Sequence, residues 1–558
     1  MKKPVFILLL CILILPAAYL HFHTQPPAAL LPVASAPAHR VLLLPLDSRP
    51  PCRKFVQDAG RIADTEIVTP PPEILDYYTQ PGDTRALREW IAQNITGCDA
   101  AILSIDQLLY GGLLAAREAG RSPEEIQDML DFLQQLHEDH PEIPLYAFNI
   151  LPRMQPPASI DGYEERRDLV KYSRLLDEFA TFDSSLDYNQ LRKLEKSIPA
   201  ASREKYLELF ARNTALNEKL SHMAHNGTLA RLIIGQDDSE DFGIPNMEKR
   251  QIRRYLASQD IPEEQVCITH GADEAALTLL AEIKSRQQAF APRIYIDYND
   301  PATPSLIMPY MAVSTAATAT EKIRMLHGSV VETPDEADFI LFLSCGTDKS
   351  VSSRAASVQR IQEYITSGKK VALVDLSKHF SAEETLFPQL LREQFPLHGL
   401  IAYAGWNTTS NAIGTALAQA ILFTGTLDTA VSKEDALTAY RQNLVFLDNR
   451  FLEDYYYLKD VITLIDTRLK RAGFHNVYDL DIEHNYRWAN AMLQQAMKKR
   501  LETLKHTAAF RAPFTASTPE GPVELQVRDI SLDTSFPWPR TFEIYLQSTL
   551  WIYARTPQ

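Results

Sequence analysis

Short apolar runs recur from residue 41 to residue 403, at 41–46, 65–69, 100–104, 144–150, 232–236, 266–269, 293–298, 339–343, 371–376 and 400–403. Helical patterns separate most of them. Runs that are apolar throughout, rather than alternating, mark strands covered on both faces. Parallel neighbours need a crossover, and a helix supplies it. The expected fold is therefore α/β. Two Rossmann-like doubly wound halves satisfy the pattern, as does an irregular β/α barrel, and a strand count above eight favours the halves.

Length agrees, because 558 residues exceed what one hydrophobic core usually supports. We assign residues 41–290 to a first α/β domain, 291–425 to a second, and 426–558 to a mainly helical carboxyl-terminal region. Within the first domain, Glu, Lys, Arg and Leu interleave at helical spacing over about 163–226. This reads as a helical insertion above the strand ends, as a substrate lid or a spacer.

Residues 1–40 form a signal peptide or an amino-terminal anchor followed by a Pro/Ala-rich tether. Lys2 and Lys3 precede an apolar run at 5–20, and Ala34-Ser35-Ala36 offers a cleavage site that Pro37 disfavours. An uncleaved anchor is the alternative, since the run lies near the lower limit for a span. Either way the body is expected outside the cytoplasmic membrane, in the periplasm or at the cell surface. Cys52, Cys98, Cys267 and Cys345 are scattered without zinc-type spacing. Two disulfides are possible in an exported protein, but Cys98, Cys267 and Cys345 adjoin expected strands and are expected to be buried free thiols.

A formal charge of -15 excludes nucleic acid as the natural partner, because phosphate binding needs a basic face. It does not exclude a small-molecule or glycan ligand.

The corners after the strands carry the chemistry. The run ending Gly235-Gln236-Asp237-Asp238 places two adjacent carboxylates where α/β proteins meet their ligands. Asp237 and Asp238 are the catalytic candidates; the alternative is a solvated loop that caps a helix near Asn246. The first strand delivers Asp47-Ser48-Arg49-Pro50-Pro51, a stiff polar corner. The third delivers Asp106 and Tyr110 before Gly111-Gly112, with Arg117 just beyond, and the fourth leads into Leu151-Pro152-Arg153. His270-Gly271-Ala272-Asp273-Glu274 follows another strand; capping of the helix over 275–285 explains the two acids, and a base or metal ligand at His270 is the other reading. Trp406 and Asn407 stand where the last strand meets a helix, as a sugar-stacking ring with an amide or as a core anchor.

Together the segments Leu44-Pro45-Leu46-Asp47-Ser48-Arg49-Pro50, 104–117, Gly235-Gln236-Asp237-Asp238, Gly271-Ala272-Asp273-Glu274 and Tyr403-Ala404-Gly405-Trp406-Asn407-Thr408 resemble those of the bacterial DUF4127 family, a group without an assigned activity. The resemblance runs from residue 41 nearly to the carboxyl end. It implies a domain extent and no reaction. This chain has Ser48 where the family pattern usually reads a second Asp, which weakens a metal role for that corner.

Three functions remain open. Tandem acids after a strand resemble the pair in glycosidases that use the substrate's acetamido group, with Asp238 as general acid and Asp237 as the orienting carboxylate. Asp47, Arg49, Asp106, Tyr110, His270, Asp273, Glu274, Trp406 and Asn407 then contact the substrate, and no cofactor is needed. The second reading gives Asp47, Asp237, Asp238, His270 and Asp273 a divalent metal for assisted hydrolysis. A third is an envelope binding protein whose halves close on a ligand. The first is the expectation carried forward.

Overall fold

The computed structural model describes residues 29–31, 36–118, 120–183, 185–346 and 351–555. The apolar leader, with Ala34 and Ser35 of the cleavage signal, lies outside these residues. Among the described residues no helix is long and apolar enough to cross a membrane. Part of the expected tether is structured: β1 (Ala29–Leu30) pairs antiparallel with Tyr553 and Ala554. An edge strand is held by backbone hydrogen bonds, so it needs no apolar periodicity and leaves none in the sequence.

The first half is a six-stranded parallel sheet of β2 (His39–Leu44), β3 (Thr65–Val68), β4 (Ala100–Ser104), β5 (Leu145–Leu151), β6 (Arg231–Gln236) and β7 (Val266–His270), in the order β3-β2-β4-β5-β6-β7. Residues of β4, β5 and β6 are buried throughout, as their unbroken apolar runs require when helices cover both faces. Ser122 caps the helix Pro123–Asp139 in a reciprocal box with Glu125, and Pro123 occupies its first turn, as the sequence indicates. Between β5 and β6 stand the helices Tyr163–Phe182, Ser185–Ser197 and Ala200–His225.

The second half is a five-stranded parallel sheet of β8 (Arg293–Tyr298), β9 (Ser329–Val330), β10 (Phe339–Gly346), β11 (Val371–Ser377) and β12 (Ala402–Ala404), in the order β12-β11-β10-β8-β9. Read from its other edge, this is the winding of the first sheet without a last strand. Neither sheet closes, so the fold is two doubly wound halves and not a barrel. In such sheets the crevice lies beyond the carboxyl ends, where the winding reverses. The first sheet reverses between β2 and β4.

One hydrophobic core joins the halves, with Leu277 and Leu280 of the helix Ala275–Gln287 clustered with Ala412, Ala416 and Ala420 of the helix Thr409–Thr429. A buried polar bolt adds to it: Lys322 Nζ donates to Glu274 Oε1 at 2.7 Å and to the His270 carbonyl at 2.6 Å, and Ser410 Oγ donates to the same carbonyl at 2.6 Å.

The carboxyl-terminal region is helical over Lys433–Arg450, a π-helical stretch Phe451–Val461, Ile462–Arg471 and Tyr486–Leu504. It also holds an antiparallel sheet that the sequence pattern had not indicated, made of β13 (Phe514–Ala516), β14 (Val523–Ser535) and β15 (Tyr545–Arg555) with β1 at its edge. Arg450 fixes this region against the first half. It is paired in a buried cluster with Glu453 at 2.5 Å and Asp454 at 2.7 Å, and its guanidinium lies 3.5 Å from the centre of the Phe55 ring. Among the described residues the four cysteines are free and buried.

Candidate functional site

A cavity of about 690 Å3 lies where the carboxyl ends of both sheets meet the carboxyl-terminal region. The first sheet supplies the corners after β2, β4, β5, β6 and β7. The second supplies Tyr310, His379 and Asn407, and Trp538 and Arg540 close the remaining wall.

The catalytic candidates depend on how β6 ends. A Cβ at Gly235 meets the Gly271 carbonyl oxygen at 2.6 Å, so only glycine lets β6 pass this close to the corner after β7. Two residues beyond the strand, Asp238 adopts φ +27°. In extended backbone consecutive side chains point apart; a left-handed residue breaks that alternation, and Asp tolerates it better than most. The two carboxylates consequently share Arg153, whose Nη1 lies 2.9 Å from Asp238 Oδ2 and whose Nε lies 3.9 Å from Asp237 Oδ2. Arg117 pairs with the same Asp237 Oδ2.

These partners push the two ionisations in opposite directions. Burial alone raises Asp237, but Arg117, Arg153 and Arg49 outweigh it and hold this carboxyl below the usual range. Burial also raises Asp238, the charge of Asp237 adds to it, and Arg153 and Arg117 only partly oppose them, so Asp238 ends above the usual range. One carboxylate stays ionised while its neighbour keeps its proton longer.

A second cluster lies deeper. Arg49 Nη2 donates to Asp47 Oδ2 at 2.6 Å and to Asp273 Oδ1 at 2.7 Å, all three being buried. Burial pushes the Asp273 carboxyl up to about 6, with Arg49 opposing and Asp47 and Asp237 reinforcing. Ser48 accepts a hydrogen bond of 2.8 Å from Trp538 Nε1, and the guanidinium groups of Arg49 and Arg540 lie 5.4 and 5.0 Å from that indole. The Ser48 departure noted in the sequence thus seats a tryptophan of the cavity wall.

Of the residues singled out from sequence, Asp47, Arg49, Asp237, Asp238, Asp273 and Asn407 line the cavity. Asp106 lies in a small hollow beside it with Tyr110. Its Oδ2 accepts from the Ile150 amide at 3.0 Å, and burial drives its carboxyl to about 7 against that bond and the charge of Arg117. His270 faces away: its Nδ1 lies 3.0 Å from Glu321 Oε2 and its Nε2 3.3 Å from Lys249 Nζ. Glu274 belongs to the bolt between the halves.

The capping explanation for Asp273 and Glu274 fails, because the helix after them receives no side-chain cap bond and both carboxylates are spent on distant partners. Trp406 is 1% exposed and packs edge-on against Phe55 and Phe542, which makes it a core anchor rather than a sugar platform. The five-residue metal set does not converge, since His270 points elsewhere and arginines occupy the carboxylates. Among the described residues no group of three or more His, Cys, Asp or Glu is placed to hold a metal ion.

Arg117 and Arg153 stand at their corners in the sequence without an assigned role, and Trp538 and Arg540 fall in the carboxyl-terminal region, outside every strand-end corner. No local signal identifies them as cavity residues, because their partners are far away in sequence.

Compared with known families, residues 41–547 match the model described as "Protein of unknown function (DUF4127)". No curated protein matches the chain.

Proposed function

We propose, for a chain that belongs to the DUF4127 family, an exported hydrolase that cleaves glycosidic bonds with Asp238 as general acid and Asp237 as its ionised companion. The observation that carries this reading is the adjacent pair at the end of β6, facing a cavity and pushed apart in ionisation. Two titratable groups driven in opposite directions are what acid–base division of labour needs. Asp238 donates its proton to the leaving oxygen as the C–O bond breaks. Asp237 holds the acetamido nitrogen while the acetamido oxygen closes on the anomeric carbon, and water later opens that ring with Asp238 accepting its proton. Arg153, bonded to Asp238 and 3.9 Å from Asp237, keeps them in register. A cavity of about 690 Å3 suits a short oligosaccharide.

A binding protein is the second reading, favoured by two similarly wound halves facing one cleft. The shared core and the Lys322 and Ser410 bolt argue against hinge closure. Export rests on the leader at residues 5–20, which makes the periplasm or cell surface the proposed location.

The test is turnover of chromogenic glycosides and cell-envelope glycans, with and without chelator. We expect release from an N-acetylated substrate that chelator leaves unchanged. Turnover that chelator removes and added ion restores assigns a metal-assisted hydrolase, and a ligand that raises the melting temperature without turnover assigns the binding protein.

A further inference from the structure

The cavity opens into a second, larger chamber of about 1190 Å3, and the two share Leu114, Arg117, Arg153, Gln155 and Arg540. Eight side chains lining this vestibule are Lys or Arg, against a single acid, Glu118. Its carboxylate is already committed to the backbone amides of Ala158 and Ser159 at 2.6 and 3.0 Å. In a chain of formal charge -15 this is a lining of the opposite sign.

One helix face supplies half of these cations. Arg166, Arg167, Lys171 and Arg174 of the helix Tyr163–Phe182 all line the vestibule, interleaved with Tyr163 and Val170 at spacings of three and four. This is the start of the insertion that the sequence reading placed over the strand ends. The remaining cations are Arg121 and the junction arginines Arg117, Arg153 and Arg540.

Most of the heads have acidic partners, but those partners lie outside the chamber lining. Arg174 is held by Glu240 at 2.7 Å, Lys171 by Asp168 at 3.3 Å, Arg121 by Glu125 at 2.9 Å and Arg540 by Glu543 at 2.6 Å, and none of these acids lines the chamber. A guanidinium has five N–H donors and one carboxylate takes two of them, so an anchored arginine still presents donors to a ligand. Arg166 carries no ion pair among the described residues. Tyr163, 72% exposed, adds a ring that packing does not account for, on the same face as these cations. Cations beside an open ring fit a sugar that bears a negative group.

We infer that the vestibule binds the anionic part of the substrate, so that the cleaved glycan is acidic and carries carboxylate or sulfate groups on the residues next to the scissile bond. The inference rests on the glycan reading of the cleft and adds its charge class. It places ring binding on Tyr163 and anion binding on Arg166 and Lys171, with Arg540 and Arg153 passing the chain to Asp238.

Binding of three oligosaccharides of equal length to the full chain tests this: a uronic-acid oligomer, a sulfated oligomer and a neutral N-acetylated oligomer. We expect at least one acidic oligomer to bind about tenfold or more tighter than the neutral one, and its affinity to fall steeply with salt. The variant with Arg166→Gln and Lys171→Gln should lose about tenfold in that affinity with its melting temperature unchanged, and Arg166→Lys should retain most of it. Which acidic oligomer binds identifies the anion. Equal or tighter binding of the neutral oligomer overturns the inference, and so does acidic binding that the double variant leaves intact. Acidic binding lost in the double variant, with no turnover of any glycan, keeps the vestibule and sinks the hydrolase.

Discussion

Asp238→Asn is expected to lower kcat/KM by about 10^2 to 10^4 on glycosides with poor leaving groups, while hydrolysis of an activated aryl glycoside stays within about tenfold of the unmodified protein. An oxygen of high pKa departs only as it receives a proton, whereas an activated phenolate leaves without one. Asn keeps the shape of Asp238 and a contact to Arg153, so the φ +27° turn and the Arg153 clamp survive. Asp237→Asn is the contrast. Its carboxylate acts on the sugar side of the bond, so both classes of substrate should slow together. Steady-state kinetics on a leaving-group series reads both. Equal loss on both classes in Asp238→Asn removes the general acid role, and the pair is then a structural ion-pair cluster around Arg117 and Arg153.

The second large effect concerns stability. Arg49→Met is expected to destabilise the chain by about 3–5 kcal/mol, because it leaves the buried carboxylates of Asp47 and Asp273 without their shared cation. The loss should depend on pH. With Arg49 in place burial already holds Asp273 at about 6, above its ordinary value. Removing the guanidinium drives it higher. A carboxyl whose folded pKa lies above its unfolded value takes up protons on folding, so its stabilising contribution grows as pH falls through the folded pKa. The deficit of Arg49→Met relative to the unmodified chain should therefore shrink between about pH 8 and about pH 5. Urea unfolding at both values measures it, and a deficit that is unchanged or larger in acid means that the two carboxylates are not the cause.

Both halves of the fold were legible because a strand buried on two faces leaves an unbroken apolar run, and such runs stand apart from the helices between them. The hairpin of β14 and β15 was missed, although half of its pattern is in the sequence. Val523, Leu525 and Val527 alternate, but the register shifts between Val527 and Asp529, and buried Ile530 falls out of phase. A bulge therefore hid a strand whose two ends each carry the pattern. The Phe451–Val461 stretch reads as ordinary helix, since π-helical winding leaves no signature that periodicity detects over so few turns.

The site was half legible for a related reason. Strand-end corners can be found from sequence, so Asp47, Arg49, Asp237, Asp238 and Asp273 could be named before their partners were known. What each corner does depends on contacts across the fold. Arg117 meets Asp237 across 120 residues, Arg153 meets Asp238 across 85, and Arg49 meets Asp273 across 224. Local chemistry favoured a helix cap for Asp273 and a sugar platform for Trp406, and long-range packing overruled both.

The dependence of kcat/KM on pH tests the central claim most directly, with the cleaved glycan as substrate and Asp238→Asn beside the unmodified chain. Asp237 must be ionised and lies below its ordinary value, whereas Asp238 must be protonated and lies above its own. The account predicts an acidic optimum, with activity lost as pH climbs past the raised Asp238 value, and the disappearance of that descending limb in Asp238→Asn. Activity that keeps rising toward alkaline pH, or a descending limb that Asp238→Asn leaves in place, contradicts it.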